Sequence, residues 1–249
     1  YERQGRPKIA LVPMAKDLFG LEGVDYFRVK FTRDASGNIT IDTAEWPGGM
    51  SAIADYIHGL GLKAGIYTSP GPKTCAGHVG AYRHEALDVG RFAEWGFDFL
   101  KYDWCSYGRI AKDRSLPELK KPYFVMRGAL DKVNRDIVFS LCQYGMGDVW
   151  KWGAKVGGQS WRTAGDLGFE LDRIFPVALK NAEHRAYSRP GSWNDPDYIS
   201  IGYLRGGSRT SLTPNQQYSY VSIWCLLAAP LIFSGDVMRL DDFTLSLLT

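Results

Sequence analysis

With 249 residues, 45% of them apolar and 23% charged, the chain has the make-up of one large folded α/β domain, which excludes disordered, collagen-like and coiled-coil classes. Thirty Lys and Arg against 27 Asp and Glu leave a formal charge of +3, and the basic residues are scattered rather than striped, so no nucleic-acid partner is expected. No apolar run approaches the roughly 18 residues of a membrane span, since "IWCLLAAPLIF" at 223 to 233 is interrupted by Pro230.

In chain order, residues 1–48 contain the apolar runs "IALVPM" and "YFRVKFT", then "FTRDASGNITID", whose turn residues between alternating arms predict a hairpin. This stretch is expected to be one extended, irregular loop. From residue 49 the texture changes to helix-period segments alternating with short apolar runs that end in polar residues, the rhythm of βα units. "GMSAIADYIHGLGLK" predicts a helix with Ile53, Ile57 and Leu60 on one face, and "KAGIYTS" a strand. "HEALDVGRFAEWG" is the next helix and "FDFLKYD" the next strand. Helix 117–134 precedes strand "IVFSLCQ", a short helix near 147–155 precedes "QSWRTAGD", helix 169–186 precedes "SWNDPDYI", and helix 214–228 precedes "PLIFSGD".

Each of these strands ends in potential chemistry: Tyr67, Asp103, Gln143, Asp166, the group Asn194, Asp195 and Asp197, and Asp236. Polar residues at successive strand ends suit a closed barrel, whose active site lies at the C-terminal edge. An open doubly wound sheet would instead use one switch point and a glycine-rich phosphate loop, and neither G-x-G-x-x-G nor G-x-x-x-x-G-K-[ST] occurs. The expected fold is therefore a (β/α)8 TIM barrel. Residues 49–249 would supply its strands three to eight, residues 1–48 the loop after the second strand, and the first two strands are expected before Tyr1.

Within "FLKYD", strand alternation puts Lys101 and Asp103 on one face. Paired carboxylates at strand ends, without a serine or histidine constellation, point to hydrolysis of a glycosidic bond, which needs one ionised and one protonated carboxyl about 5–5.5 Å apart for retention. Asp103 and Asp166 are the candidate pair. Lys101 would keep Asp103 anionic as a nucleophile. A purely structural ion pair is the alternative reading of the same residues.

"GLKAGIYTSPGPKTCAG", "HEALDVGRFAEWGFDFLKYDWC", "SWRTAGD" and "GSWNDPDYISIG", in that order, resemble glycoside hydrolase family 27, the α-galactosidase and α-N-acetylgalactosaminidase family. The resemblance runs from about residue 32 to the end. It implies a (β/α)8 barrel followed by a small antiparallel β domain, which would lie beyond the closing "LSLLT". It also implies Asp103 as nucleophile, Asp166 as acid/base, and Lys101 and Arg162 as sugar-binding residues. Tyr67 and the "WNDPD" run, Trp193 to Asp197, fall where the family lines its pocket, a plain core role being the alternative for Tyr67, with Asp195 and Asp197 as supports for Asp103 and Lys101; Trp104, Trp161 and Trp193 are candidates for stacking on sugar faces or for plain packing. Cys75 and Cys105 match a family disulfide, which implies an oxidising compartment and hence a secreted or periplasmic protein. Cys142 and Cys225 read as buried small hydrophobes.

Many family α-galactosidases have Cys-Glu-Trp where this chain has Cys142, Gln143 and Tyr144, and galactosaminidases carry small residues at the positions of Gln143 and Met146. The bulk here predicts a sugar with a 2-hydroxyl, bonded to Gln143. The expected substrate is a galactose-containing oligosaccharide or glycoconjugate, with β-L-arabinopyranoside and α-N-acetylgalactosaminide as alternatives within the family. The paired aspartates that end the family's second strand have no counterpart before Asp241. A non-catalytic carbohydrate-binding barrel is the alternative of another class. Cys75, His78 and His84 are too loosely spaced to predict a metal site, and no cofactor is expected.

Overall fold

The computed structural model describes residues 11–15, 18–21, 31–41, 46–204 and 207–249. Of the loop expected over 1–48, residues 1–10, 16–17, 22–30 and 42–45 lie outside the described residues. β1 (Leu11–Ala15) and β2 (Leu18–Leu21) pair antiparallel, a ladder the sequence did not signal. β3 (Phe31–Arg33) and β4 (Ile39–Ile41) form the expected hairpin. Its turn is shaped by Asp34, whose Oδ1 accepts the N–H groups of Ser36 and Asn38 at 2.9 Å. Arg33 then fastens the hairpin to the body: its two terminal nitrogens grip the buried carboxylate of Asp88 at 2.6 and 2.8 Å, a bidentate, charge-assisted contact.

The main body follows the predicted alternation: α1 (Gly49–Gly59), β5 (Gly65–Thr68), α2 (Glu85–Glu94), β6 (Phe99–Asp103), α3 (Leu116–Leu130), β7 (Val138–Cys142), β8 (Ser160–Arg162), α4 (Leu171–Glu183), β9 (Trp193–Asp195), α5 (Pro214–Leu226) and α6 (Asp242–Leu248). β5 to β9 make one parallel sheet in sequence order. The helix expected near 147–155 is instead a pair of 3-10 turns, Val149–Lys151 and Gly153–Val156. They press directly on β8, and a Cβ at Gly153 would come within 2.5 Å of the Trp161 ring.

The last expected strand, "PLIFSGD", makes a single parallel bridge, Phe233 to Ile199. Pro230 has no N–H to offer a ladder, and its carbonyl accepts the N–H of Ile232 instead. Asp236 at the end of this run caps a short turn through the N–H of Met238 rather than facing a site.

Alternation along the strands sends Leu100, Tyr102, Phe139 and Leu141 into the helix layer, where all four are fully buried. Each such side chain contributes about 1.5–3 kcal/mol relative to exposure. A second core forms around Ile174, Ile201, Tyr220 and Trp224. Trp224 points inward, so Cys225, the next residue on α5, is exposed, which corrects the expectation of a buried thiol. α5 starts where it does because Thr213 and Gln216 form a capping box and Pro214 takes the first helical position.

Candidate active site

Lys101 and Asp103 project from the face of β6 opposite to Leu100 and Tyr102, at the C-terminal end of the central sheet. Asp103 is fully buried, and both its oxygens are engaged by phenols. Tyr144 donates to Oδ1 at 2.6 Å, and Tyr67, on neighbouring β5, donates to Oδ2 at 3.3 Å. Burial, then the carboxylate it bonds, pushes the Tyr144 phenol up, so it stays a protonated donor.

Lys101 does not form a contact ion pair with Asp103, which was the alternative reading of the two residues; its charge acts on the carboxylate from farther away. Side chains two apart on a strand are separated by about 6.6 Å of rise, and the ammonium turns instead to the hydroxyl of Tyr198, lying 4.5 Å from that ring's centre and 5.8 Å from the Tyr67 ring. Burial works against the charge on Lys101, but the hydrogen bond to Tyr198 and the charge of Asp103 offset it, and its pKa is raised. Burial likewise pushes up the Cys142 thiol at the end of β7, so it remains neutral.

Arg162 ends β8 and is only 2% exposed. Its guanidinium curls over the loop that follows: one terminal nitrogen reaches the carbonyls of Ala164 at 3.2 Å and Gly165 at 2.6 Å and the carboxylate of Asp166 at 3.4 Å. The other lies 2.9 Å from Asp197. Asp166 itself is exposed, on the rim of the sheet's C-terminal edge. Asp197 was expected to support Asp103 and Lys101; it supports Arg162 and, through the N–H of Leu167 at 2.9 Å, the loop bearing Asp166. Asp195 is buried and accepts the N–H of Asp197 at 2.8 Å, and burial raises its carboxyl, with Arg162 only partly offsetting the effect.

Gln143 is buried, and neither of its side-chain polar atoms has a hydrogen-bond partner among the described residues. Trp161 cannot stack on a ligand, being fully buried with its N–H on Asn194 at 2.7 Å. Trp104 packs its ring on Tyr107, 4.8 Å away, and on Tyr123. An apolar cavity of about 320 Å³ lies between the hairpin, α1 and β5 and reaches Tyr67, Lys101 and Tyr198, but neither Asp103 nor Asp166 lines it.

The Cys75–Cys105 disulfide is formed, with Cα atoms 4.9 Å apart and a sequence separation of 30. A closed loop of that length is worth about 3–4 kcal/mol in the chain-entropy account. Cys105 Sγ lies 3.1 Å from the Tyr67 hydroxyl and Cys75 Sγ 3.7 Å from that of Tyr144, so the bond also backs both phenols on Asp103. Cys75, Cys105 and Asp103 come within 4.8 Å of one another, but the two sulfurs are bonded to each other and present no thiolate pair for a metal.

Tyr144 and Tyr198 were not among the expected site residues. Their only local signals were the Tyr144-Gly145 turn after a strand and the position of Tyr198 beside "WNDPD".

A carboxylate held at the end of β6 and a second one, gathered by an arginine that ends β8 two strands along, thus stand at the same C-terminal edge of the sheet, where a barrel of this kind carries its chemistry. The family model described as "Alpha galactosidase A" (Melibiase_2) matches residues 19–249. The chain is 36% identical over 228 residues to the "Alpha-galactosidase A" of Cellvibrio japonicus, covering 87% of this chain and 53% of that protein. It is 38% identical over 221 residues to the "Alpha-galactosidase" of Cyamopsis tetragonoloba, covering 88% and 50%. The structure of α-galactosidase from Saccharomyces cerevisiae with raffinose superposes with a TM-score of 0.80 at 27% identity, covering 88% of this chain and 51% of that one. This chain belongs to the α-galactosidase family, glycoside hydrolase family 27. It spans about half the length of the curated relatives it matches.

Proposed function

We propose that this chain carries most of the catalytic (β/α)8 barrel of a retaining glycoside hydrolase that releases terminal α-linked D-galactose. The observation that carries the reading is the buried Asp103 at the end of β6, aimed by two phenols, with Asp166 gathered by Arg162 at the end of β8. In the proposed reaction Asp103 attacks the anomeric carbon while Asp166 protonates the leaving oxygen. Asp166 then takes a proton from water as that water releases the sugar with retained configuration.

Lys101, Gln143, Arg162, Tyr67, Trp104 and Asp195 are the proposed substrate-binding set. The bulk of Gln143 and Met146 favours a hydroxyl at C2 over an N-acetyl group, and the unmatched amide of Gln143 is available to bond that hydroxyl. Secreted or periplasmic localisation is proposed with it, supported by the disulfide.

The test is mass spectrometry of the protein bearing this chain after incubation with an activated fluoro-galactoside. Label on Asp103 is expected, and absence of any adduct would favour a non-catalytic carbohydrate-binding protein. Faster cleavage of p-nitrophenyl α-N-acetylgalactosaminide or β-L-arabinopyranoside than of the α-galactoside would overturn the choice of sugar.

A further inference from the structure

The two oxygens of Asp103 are not equivalent. Oδ1 accepts the short 2.6 Å bond from Tyr144, while Oδ2 is held only at 3.3 Å by Tyr67. Tyr144 reaches Oδ1 from a left-handed backbone, φ 64°, that bulky residues rarely adopt. The surroundings enforce it: Gly145 follows at φ 82°, pressed so closely on the residue after β8 that a Cβ would meet the Thr163 carbonyl at 2.3 Å, and the Tyr144 ring is 5.9 Å from the Arg162 guanidinium. Strain of this kind survives where the surrounding structure overdetermines it.

On the retaining-hydrolase reading, we infer that Tyr144 is a positioning residue that divides the labour within Asp103: Oδ2 bonds to the anomeric carbon, and Oδ1, kept on the Tyr144 hydroxyl, becomes the carbonyl oxygen of the glycosyl ester. In the first step the Oδ2–carbon bond forms as the bond to the leaving oxygen breaks, with the Asp166 proton going to that oxygen. In the second, water attacks the same carbon, its proton passes to Asp166, and the electron pair of the Oδ2–carbon bond returns to the carboxylate. Charge leaves Asp103 in the first step and is restored in the second. A donor on Oδ1 therefore favours breakdown of the intermediate over its formation.

The experiment uses Tyr144→Phe in the full protein with a dinitrophenyl α-galactoside. The expected result is a fall in kcat of about tenfold or more, a parallel fall in KM, kcat/KM held within about threefold, and a burst of dinitrophenol before the steady state. An unchanged kcat, or kcat and kcat/KM falling together without a burst, overturns the inference. Should the variant not fold, 3-fluorotyrosine at 144, a stronger donor on the same ring, must raise kcat and shrink any burst; no change, or a change in the other sense, overturns it equally. If wild type forms no fluoro-galactosyl adduct on Asp103, the retaining reading itself has failed; if it does and the variants behave otherwise, only the role of Tyr144 has.

Discussion

The carboxylate of Asp197 lies 2.9 Å from the guanidinium of Arg162, with side chains only 6% and 2% exposed. Asp197 holds this pose at φ 106°, a strained value for a residue with a side chain, pinned by its N–H on Asp195 and its carbonyl on the Trp224 indole. One residue thus joins four segments: its carboxylate ties the end of β8 to the loop of Asp166, and its backbone ties the segment after β9 to α5. Removing it strands a buried cation. Asp197→Ala is expected to cost about 3–5 kcal/mol of stability, read from the urea midpoint. A midpoint that does not move would mean the guanidinium finds water or another acceptor.

Asp103→Ala and Asp166→Ala should each lower turnover by at least about a thousandfold. Azide separates their roles. Filling the space left by Asp103 it should give β-galactosyl azide, and replacing the attacking water in Asp166→Ala with an activated substrate it should give the α anomer. The same anomer from both variants would reverse or remove the assignment.

Gln143 couples function against stability. Replacing its buried amide by the similar-sized side chain of Gln143→Met removes two polar atoms without partners, each an unmet group of the kind that costs about 1–3 kcal/mol. The unfolding midpoint is expected to hold or rise while KM for p-nitrophenyl α-galactoside increases by about tenfold or more. A destabilised variant with unchanged KM would make Gln143 structural.

Acid sensitivity should come from the opposite end of the sheet. Burial alone would raise the carboxyl of Asp98, but hydrogen bonds from His58 at 2.7 Å, the Ala64 N–H at 2.9 Å and Arg135 at 2.8 Å outweigh it and bring the pKa down from 3.8 to about 2. A carboxyl depressed in the folded state stabilises fully above its unfolded pKa and loses that contribution as pH falls from about 4 to about 2. With solvent screening the effect is about 1–2 kcal/mol. Urea midpoints of wild type and Asp98→Asn should differ at pH 6 and converge near pH 2; parallel curves would place the acid response elsewhere.

Much of the molecule was legible beforehand. The alternation of period 3.6 with period two located all five strands of the parallel sheet and the α-helices α2, α3 and α4 between them, and "FLKYD" announced a polar face within an apolar strand. The hairpin at "ASGN" was readable because turn chemistry is local. Other features were not, the β1–β2 ladder among them. The segment near 147–155 carries helical spacing, but its close approach to Trp161 tightens it into 3-10 turns, and "PLIFSGD" has a strand's composition with a proline where a ladder needs a donor.

The sequence by itself determined which residues stand at the C-terminal ends of the strands, because alternation and βα rhythm are set by neighbours a few positions apart. Tertiary structure alone decided their hydrogen-bond partners: Lys101 turns to Tyr198, 97 residues away, and Asp103 to Tyr144, 41 residues away. Such contacts depend on how neighbouring strands, loops and the disulfide pack in space. No local periodicity encodes that distance, so the unequal hold on the two oxygens of Asp103 could be read only from the folded chain.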